Sequence, residues 1–168
     1  SGRLKWLTLN VGLNVVAASV IAYFQDTLQS VVALAVFLPI ISDMSGCSGN
    51  QAVAVSMREL SLGVATPADL VFVLRKELAV GLVNGTALGL LIAAVGWAWM
   101  GNPWLGLVAG FALAANTLIA VSIGGSVPLL AKRAGYDPAL ASGPVLTTIT
   151  DVCGFALALG SATLLLDK

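Results

Sequence analysis

The sequence predicts an all-α, polytopic membrane protein with five transmembrane helices per subunit, and its composition and length carry that prediction. Of its residues, 58% are hydrophobic and only 10% are charged, whereas an ordinary soluble domain carries about 25% charged residues. The mean hydropathy is +0.98. Because 168 residues accommodate roughly five spans of about 20 residues with short loops, residues 1–168 are expected to form a single transmembrane domain.

Apolar segments separated by polar turns locate the first two spans. The first, residues 6–24, carries Asn10 and Asn14 on one face, and we expect both to hydrogen-bond to a neighbouring helix. A short polar turn, residues 25–30, leads into the second span, residues 31–57.

The second span is expected to be interrupted between residues 39 and 51. This segment places a proline, an aspartate, two glycines, an asparagine and a glutamine inside an otherwise apolar helix. In hydrocarbon every backbone polar group must be bonded internally, so broken backbone with polar side chains is tolerated only inside protein or along a watery cavity. The segment is therefore a candidate ion or solute site.

The third span, residues 78–100, follows an amphipathic segment at residues 70–77. Within it Gly81, Gly85 and Gly89 repeat every four residues, which predicts one smooth helix face suited to close packing.

The fourth and fifth spans occupy residues 105–130 and 139–166. Gly124, Gly125 and Pro128 predict a kinked end of the fourth span. The fifth span presents one stripe of small or polar residues, as a pore wall requires, although tight helix packing uses the same residue types. The stripe consists of Gly143, Thr147, Asp151, Gly154 and Ala158.

Basic residues predict the orientation of the chain. With five crossings, seven of them fall on one side of the membrane: Arg3, Lys5, Arg58, Arg75, Lys76, Lys132 and Arg133. The other side receives Lys168 together with the acids Asp26 and Asp167. The positive-inside rule then predicts a multi-pass protein of the cell (inner) membrane with its N-terminus in the cytoplasm and its C-terminus outside. The net charge of zero predicts no nucleic-acid partner.

Two acids, Asp43 and Asp151, lie well inside predicted spans. An ionised carboxylate there costs at least about 2.5–3.5 kcal/mol unless it faces water, a counter-ion or a bound cation. Because no Lys or Arg lies within a span to pair with them, a hydrated cation is the natural partner, with a protonated carboxyl as the alternative. The other acids, Glu77 among them, are expected in loops or at helix ends.

The available side chains favour a hard divalent cation. Carboxylates, amides, hydroxyls and carbonyls freed near Gly46 and Gly49 suit Mg²⁺, Ca²⁺ or Mn²⁺, and the chain has no histidine for a zinc- or copper-type site. Cys47 and Cys153 are expected to be small buried hydrophobic residues without a disulfide framework. A soft site built from their thiolates is the alternative.

Two motifs about 100 residues apart carry a resemblance to a known family. Phe37-Leu-Pro-Ile running into Gly46-Cys-Ser-Gly-Asn-Gln51, and Ser142-Gly-Pro-Val-Leu-Thr-Thr-Ile-Thr-Asp151, resemble the transmembrane domain of the MgtE family of magnesium channels and transporters. The similarity covers essentially the whole chain. The cytosolic N-terminal helical domain and paired CBS domains usual in that family have no counterpart in these 168 residues.

The resemblance implies a homodimer, surrounded by membrane lipid, whose pore runs along the dimer axis between the second and fifth helices of both subunits. Asp151 matches the acid that recognises hydrated Mg²⁺, Thr147 a position offering its backbone carbonyl, and Gly46 and Asn50 pore-lining positions. With Asp43 these residues form the predicted metal site. We further expect the pore to be lined by Ser45, Cys47, Gln51, Gly143 and Gly154.

Two departures from the family pattern concern this site. The family usually has Gly-Gly-Asn at residues 45–47, so Cys47 replaces a polar pore residue, and Asp43 stands where a glycine or small residue is expected. An added ring of acids would raise cation affinity and alter selectivity, which keeps Mn²⁺, Co²⁺ and Ca²⁺ open beside Mg²⁺.

The leading hypothesis is therefore a divalent-cation channel or facilitated transporter, with Mg²⁺ as the transported ion. The alternative in transport is a secondary exchanger coupled to Na⁺ or H⁺, with Asp43 as the coupling acid. The alternative outside transport is a membrane scaffold whose polar residues only join helices. An enzyme is not expected, because the chain offers no histidine, no Ser–Lys pair and no second catalytic acid at a recognisable spacing.

Overall fold

The computed structural model describes residues 2–165, and within this range every regular element is a helix. A 3₁₀ turn, Pro67–Asp69, precedes the fourth of six α-helices. The helices are α1 (Gly2–Tyr23), α2 (Gln25–Ser30), α3 (Leu34–Ser61), α4 (Leu70–Met100), α5 (Pro103–Arg133) and α6 (Pro138–Leu165). The all-α prediction is thus confirmed, whereas Asp167, Lys168 and the predicted end of the last span at residue 166 lie outside the described residues.

Four of these helices are long and apolar enough to cross a membrane: α1, α4 together with its 3₁₀ turn, α5 and α6. The chain is therefore a multi-pass membrane protein. Helix α3 has 28 residues and sufficient length but does not join the four, because its middle carries serines, an aspartate, an asparagine and a glutamine.

Helix ends are set by local chemistry. Gly101, at φ 66°, ends α4 in the left-handed conformation that glycine adopts without strain. One residue later the Asn102 side chain accepts hydrogen bonds from the backbone N–H groups of Trp104 and Leu105, and Pro103 occupies the first helical position of α5. These residues make α4 and α5 an antiparallel hairpin.

Helix α5 is the centre of the bundle. It packs against α3, α4 and α6. Of an 18-residue apolar segment of α5, 61% is buried inside the bundle, whereas for α1, which packs mainly against α6, the share is 6%. The main core lies where α3, α5 and α6 meet, around Phe37, Leu113 and Leu159. The two helices that carry the polar motifs, α3 and α6, are therefore held side by side on the same central helix.

The predicted close packing of the glycine repeat is confirmed. A Cβ atom added at Gly85 or Gly89 would lie 2.7 Å from a backbone oxygen of α5, that of Ala114 or Gly110 respectively. Since real Cβ atoms do not approach backbone oxygen so closely, only glycine permits this spacing between α4 and α5.

The predicted interruption of the second helix is wrong: α3 is one continuous α-helix with Pro39 inside it. Gly49 keeps helical backbone because it packs against α5, where a Cβ atom would lie 3.0 Å from the oxygen of Ala120. The carbonyls expected to be free near Gly46 and Gly49 are consequently in a helical ladder. The missing N–H of Pro39 leaves the carbonyl of Ala35 without its helical donor instead.

Three smaller predictions also change. Residues 25–30 form the short helix α2 and not a turn, and residues 70–77 are the first turns of α4 and not a separate amphipathic segment. Asn14 donates to the Asn10 carbonyl in its own helix, and not to a neighbouring helix.

Contacts between helix ends gather the described basic residues at one end of the bundle. The ring of Trp6 at the start of α1 lies 6.1 Å from that of Tyr136, which precedes α6. At the same end, Leu60, Val73 and Leu129 join the end of α3, the start of α4 and the end of α5 in a second apolar cluster. All seven basic residues assigned to this side by the sequence lie in or near these segments.

Candidate functional site

A cavity of about 570 Å³ lies between the two helices that carry the polar motifs. Helix α3 supplies most of its wall, α6 supplies the opposite wall, and single residues of α1 and α2 close one end. The polar or small residues of the wall are Ser42, Asp43, Gly46, Cys47, Asn50, Thr147, Thr150 and Asp151. We call this space the α3/α6 cavity.

On α3 the cavity residues recur at steps of three and four. Asp43, Gly46, Cys47 and Asn50 thus share one face of the helix, and the side chains of Asp43, Cys47 and Asn50 are exposed in the single chain. The expectation that Cys47 is a buried hydrophobic residue is therefore wrong. Cys153 is partly buried, and both cysteines are free.

On α6 the central group is the carboxylate of Asp151, which is partly buried. The hydroxyl of Ser42 on α3 donates a hydrogen bond to its Oδ1 atom, so the two walls are joined at this acid. The Thr150 hydroxyl donates a hydrogen bond of 3.0 Å to the backbone carbonyl of Thr147, which lies one turn before Asp151. Because that carbonyl also accepts the helical bond from residue 151, both of its lone pairs are used in this arrangement.

The charge of the cavity is negative. Among the lining residues that the structure describes, the charged ones are Asp43 and Asp151, and a lysine or arginine is not found with them. Within residues 2–165 no three His, Cys, Asp or Glu side chains lie close enough together to hold a metal ion. One chain therefore offers two carboxylates and several neutral oxygens, which suits an ion that keeps its water shell better than a fully dehydrated one.

Not every predicted site residue lies at this cavity. Ser45 is fully buried, and its hydroxyl has no hydrogen-bond partner among the described residues. Gln51 lines a second cavity of about 310 Å³ between α3 and α4. Gly154 is buried, and a Cβ atom there would lie 2.7 Å from the Asn116 amide nitrogen. Gly143 is partly buried, and a Cβ atom there would have open space around it.

Two cavity residues, Ser42 and Thr150, were missed by the sequence reasoning. Ser42 precedes Gly46 by one helical turn, and Thr150 precedes Asp151 directly. Had α3 been treated as a continuous helix, the four-residue step from Ser42 to Gly46 would have indicated the first of them.

The second cavity holds an acid that the sequence assigned to a solvated helix end. Glu77 is only 4% exposed, because α4 begins at Leu70 and places it two turns inside the helix. Its carboxylate lies 3.7 Å from the Lys76 ammonium, which makes a closer contact, 2.6 Å, with Glu59 on α3. This ion-pair cluster fastens α3 to α4 at the basic end.

Comparisons with known proteins identify relatives over nearly the whole chain. The MgtE family model, described as a divalent cation transporter, matches residues 38–161. Magnesium transporter MgtE of Bacillus subtilis is 36% identical over 161 residues, which are 96% of this chain and 36% of that protein. Magnesium transporter MgtE of Thermus thermophilus is 34% identical over 98% of this chain, and again 36% of the relative is covered. The chain thus spans about a third of the length of these relatives.

Proposed function

The chain belongs to the MgtE family of divalent cation transporters, and from this membership we propose that it carries a divalent cation, Mg²⁺ above others, through the α3/α6 cavity. The relatives are named magnesium transporters, and both family motifs contribute to the wall of this cavity. Asp151 is the acid that holds the hydrated ion.

The observation that carries the proposal is an acidic, polar wall left open in the single chain. Asp43, Cys47, Asn50 and Thr147 are exposed on α3 and α6, in the middle of a protein built to sit in lipid. Such a surface cannot face hydrocarbon without a large cost in free energy. It is stable where it lines water and cations.

A second copy of the chain completes the pore. In a homodimer, the open wall of one subunit faces the same wall of the other, and the ion passes along the axis between them. Each subunit then crosses the membrane five times, with α3 as the least apolar span because its polar face is covered by water and by the partner and not by lipid.

The protein recognises the ion mainly through the water molecules bound to it. Mg²⁺ holds six oxygen ligands at about 2.0–2.1 Å and gives up water reluctantly, so carboxylates and amides contact its bound waters. Asp43 adds a negative charge at a position where the family usually has a small residue. This charge raises the affinity for divalent cations in general and brings Mn²⁺, Co²⁺ and Ca²⁺ closer to Mg²⁺.

The basic end of the bundle faces the cytoplasm, which places the N-terminus inside and the C-terminus outside the cell membrane. Cations then move inward down the membrane potential, which is worth about 2.3 kcal/mol per elementary charge for each 100 mV.

Flux into liposomes tests the proposal. Asp151→Ala removes the charge that holds the ion, so uptake of Mg²⁺ and Mn²⁺ should fall to the level of empty liposomes while the subunits still assemble. Asp26→Asn is the matched control, because Asp26 is an exposed acid on α2 that does not line the cavity. Full divalent flux through Asp151→Ala would contradict the pore assignment.

The same assay separates the exchanger from the channel, since Asp43 lies in the cavity as a second acid. Flux that vanishes without a Na⁺ or H⁺ gradient, and that becomes independent of the gradient in Asp43→Gly, would favour the exchanger. Wild-type protein that passes no divalent cation at all would favour a scaffold.

A further inference from the structure

Asn116 is a fully buried amide at the centre of the bundle, on α5. Its Nδ2 atom donates a hydrogen bond of 3.0 Å to the backbone carbonyl of Thr150 on α6. Its Oδ1 atom is buried without a hydrogen-bond partner among the described residues. The backbone of α6 comes this close because residue 154 is glycine, whose missing Cβ atom would lie 2.7 Å from the same nitrogen.

The hydrogen bond of Asn116 reaches the segment of α6 that faces the α3/α6 cavity. Thr150 lines the cavity and, through its hydroxyl, also binds the carbonyl of Thr147. Asp151 is the next residue along the chain. A single side chain on the central helix therefore holds the backbone of α6 that carries Thr147, Thr150 and Asp151.

Asn116 is a poor choice for stability alone. A buried amide that makes one hydrogen bond and leaves its own carbonyl unpaired costs desolvation free energy that a small apolar side chain would not. The buried positions one turn away on α5, Leu113 and Ala120, are apolar, as packing alone would require. A polar side chain at this position indicates a role in placing α6.

We propose that Asn116 is a positioning residue for ion selectivity: it fixes the height and rotation of α6 so that Asp151 meets an ion of the right hydrated size. This inference rests on the proposed function. Ions whose oxygen ligands lie at different distances, about 2.0–2.1 Å for Mg²⁺ and 2.3–2.6 Å for Ca²⁺, require different separations between facing carboxylates. A small movement of α6 therefore changes the ratio of fluxes more than the total flux.

The test compares three variants of the full chain reconstituted in liposomes. Asn116→Ala removes the donor. Gly154→Ala keeps the donor but pushes it away from the Thr150 carbonyl. Thr117→Ala is the matched control, because Thr117 is the next residue, is fully buried, and has a hydroxyl with no hydrogen-bond partner among the described residues.

Two readouts are taken on each variant. The first is the ratio of Mg²⁺ to Ca²⁺ flux, which should change by about fivefold in Asn116→Ala and Gly154→Ala, the factor that one ordinary hydrogen bond is worth in an equilibrium constant. The second is amide hydrogen exchange in residues 147–154, which needs no ion and should become faster in the same two variants. Thr117→Ala should leave both at the wild-type value.

The inference is overturned if folded Asn116→Ala keeps the wild-type ratio of Mg²⁺ to Ca²⁺ flux. It is likewise overturned if the fluxes of all ions fall equally and in proportion to a lower melting temperature, because that result is expected of a purely structural role. It is also overturned if exchange in residues 147–154 is unchanged. Wild-type protein that passes no divalent cation would instead refute the proposed function, and faster exchange in Asn116→Ala would still show that the amide positions α6.

Discussion

A hydrogen bond from the Ser42 hydroxyl joins α3 to the carboxylate of Asp151 on α6. In the pore that we propose, the Ser42 hydroxyl occupies the Oδ1 atom and the Oδ2 atom contacts a bound water of the ion. A hydrogen bond to a charged group contributes roughly 1.5–3 kcal/mol, and losing it lets the side chain of Asp151 rotate.

We therefore expect Ser42→Ala to raise the Mg²⁺ concentration for half-maximal flux by about tenfold, since 1.4 kcal/mol is a factor of ten. Concentration-dependent uptake into liposomes measures it. Ser61→Ala is the control, because Ser61 lies at the exposed end of α3 and its hydroxyl donates to the Met57 carbonyl in its own helix. An unchanged half-saturating concentration in Ser42→Ala would show that the hydroxyl does not serve the ion.

Four residues of α3 that were assigned to the site from the family resemblance and from their polar or small side chains line one cavity in the structure. Asp43, Gly46, Cys47 and Asn50 fall on one face because steps of three and four residues return to the same side. Ser45, which was expected to line the pore, is buried and does not line the cavity, because in a continuous helix two residues from Asp43 is a rotation of about 200°.

At the scale of the helix, α3 shows why polar content was a poor guide to backbone continuity. Serine, glycine and asparagine within a predicted span indicated a break, but a helix bonds its own backbone whatever its side chains face. Gly49 serves contact with α5, whereas Gly46 lines the α3/α6 cavity. The sequence did not reveal the contact of Gly49, because the partner of a glycine is set by tertiary packing. The repeat in α4 was recognised because Gly81, Gly85 and Gly89 recur at a regular step of four residues.

The glycine contacts make a prediction about stability. Gly85→Ala would bring a Cβ atom to 2.7 Å from the Ala114 carbonyl oxygen and force α4 and α5 apart. Overpacking of this kind costs about 1–3 kcal/mol, so the variant should melt at a lower temperature in detergent.

Gly160→Ala is the matched control for that measurement. It also lies inside a helix, but nothing lies within 4 Å of the added atom. Since alanine favours helix over glycine, its melting temperature should be equal to or higher than that of the wild type. Equal stability of Gly85→Ala and Gly160→Ala would mean that α4 and α5 are not packed as closely as described.

At the scale of the whole molecule, composition and hydropathy were enough to predict a helical membrane protein. The positions of the basic residues in the sequence were enough to predict that they gather at one end of the bundle. They were not enough to predict which helices pack side by side, because apolar helices are alike in sequence and their order around α5 depends on shape. Glu77 illustrates the limit: hydropathy placed it at a helix end, whereas α4 begins earlier and buries it against α5, where a Cβ atom on Gly125 would collide with its side chain.

The open acidic wall predicts a dimer that thiol chemistry detects. Cys47 is exposed on the cavity face, so in a Cys153→Ala background a short bifunctional thiol reagent should join two subunits through Cys47 in the membrane. Gel electrophoresis under denaturing conditions measures the product, and excess Mg²⁺ should slow its formation by occupying the pore. The control is a variant in which the cysteine is moved to the exposed face of α4 by combining Cys47→Ser with Leu90→Cys. This variant should give little cross-linked dimer.

The most direct test of an ion held by Asp151 between two subunits is anomalous X-ray scattering from crystals of the protein soaked in Mn²⁺. We expect a peak on the two-fold axis of a dimer, at a distance from the Asp151 carboxylates that leaves room for bound water, and no such peak in Asp151→Ala. A peak confined to other parts of the chain, in protein that transports Mn²⁺, would contradict the α3/α6 cavity as the pathway.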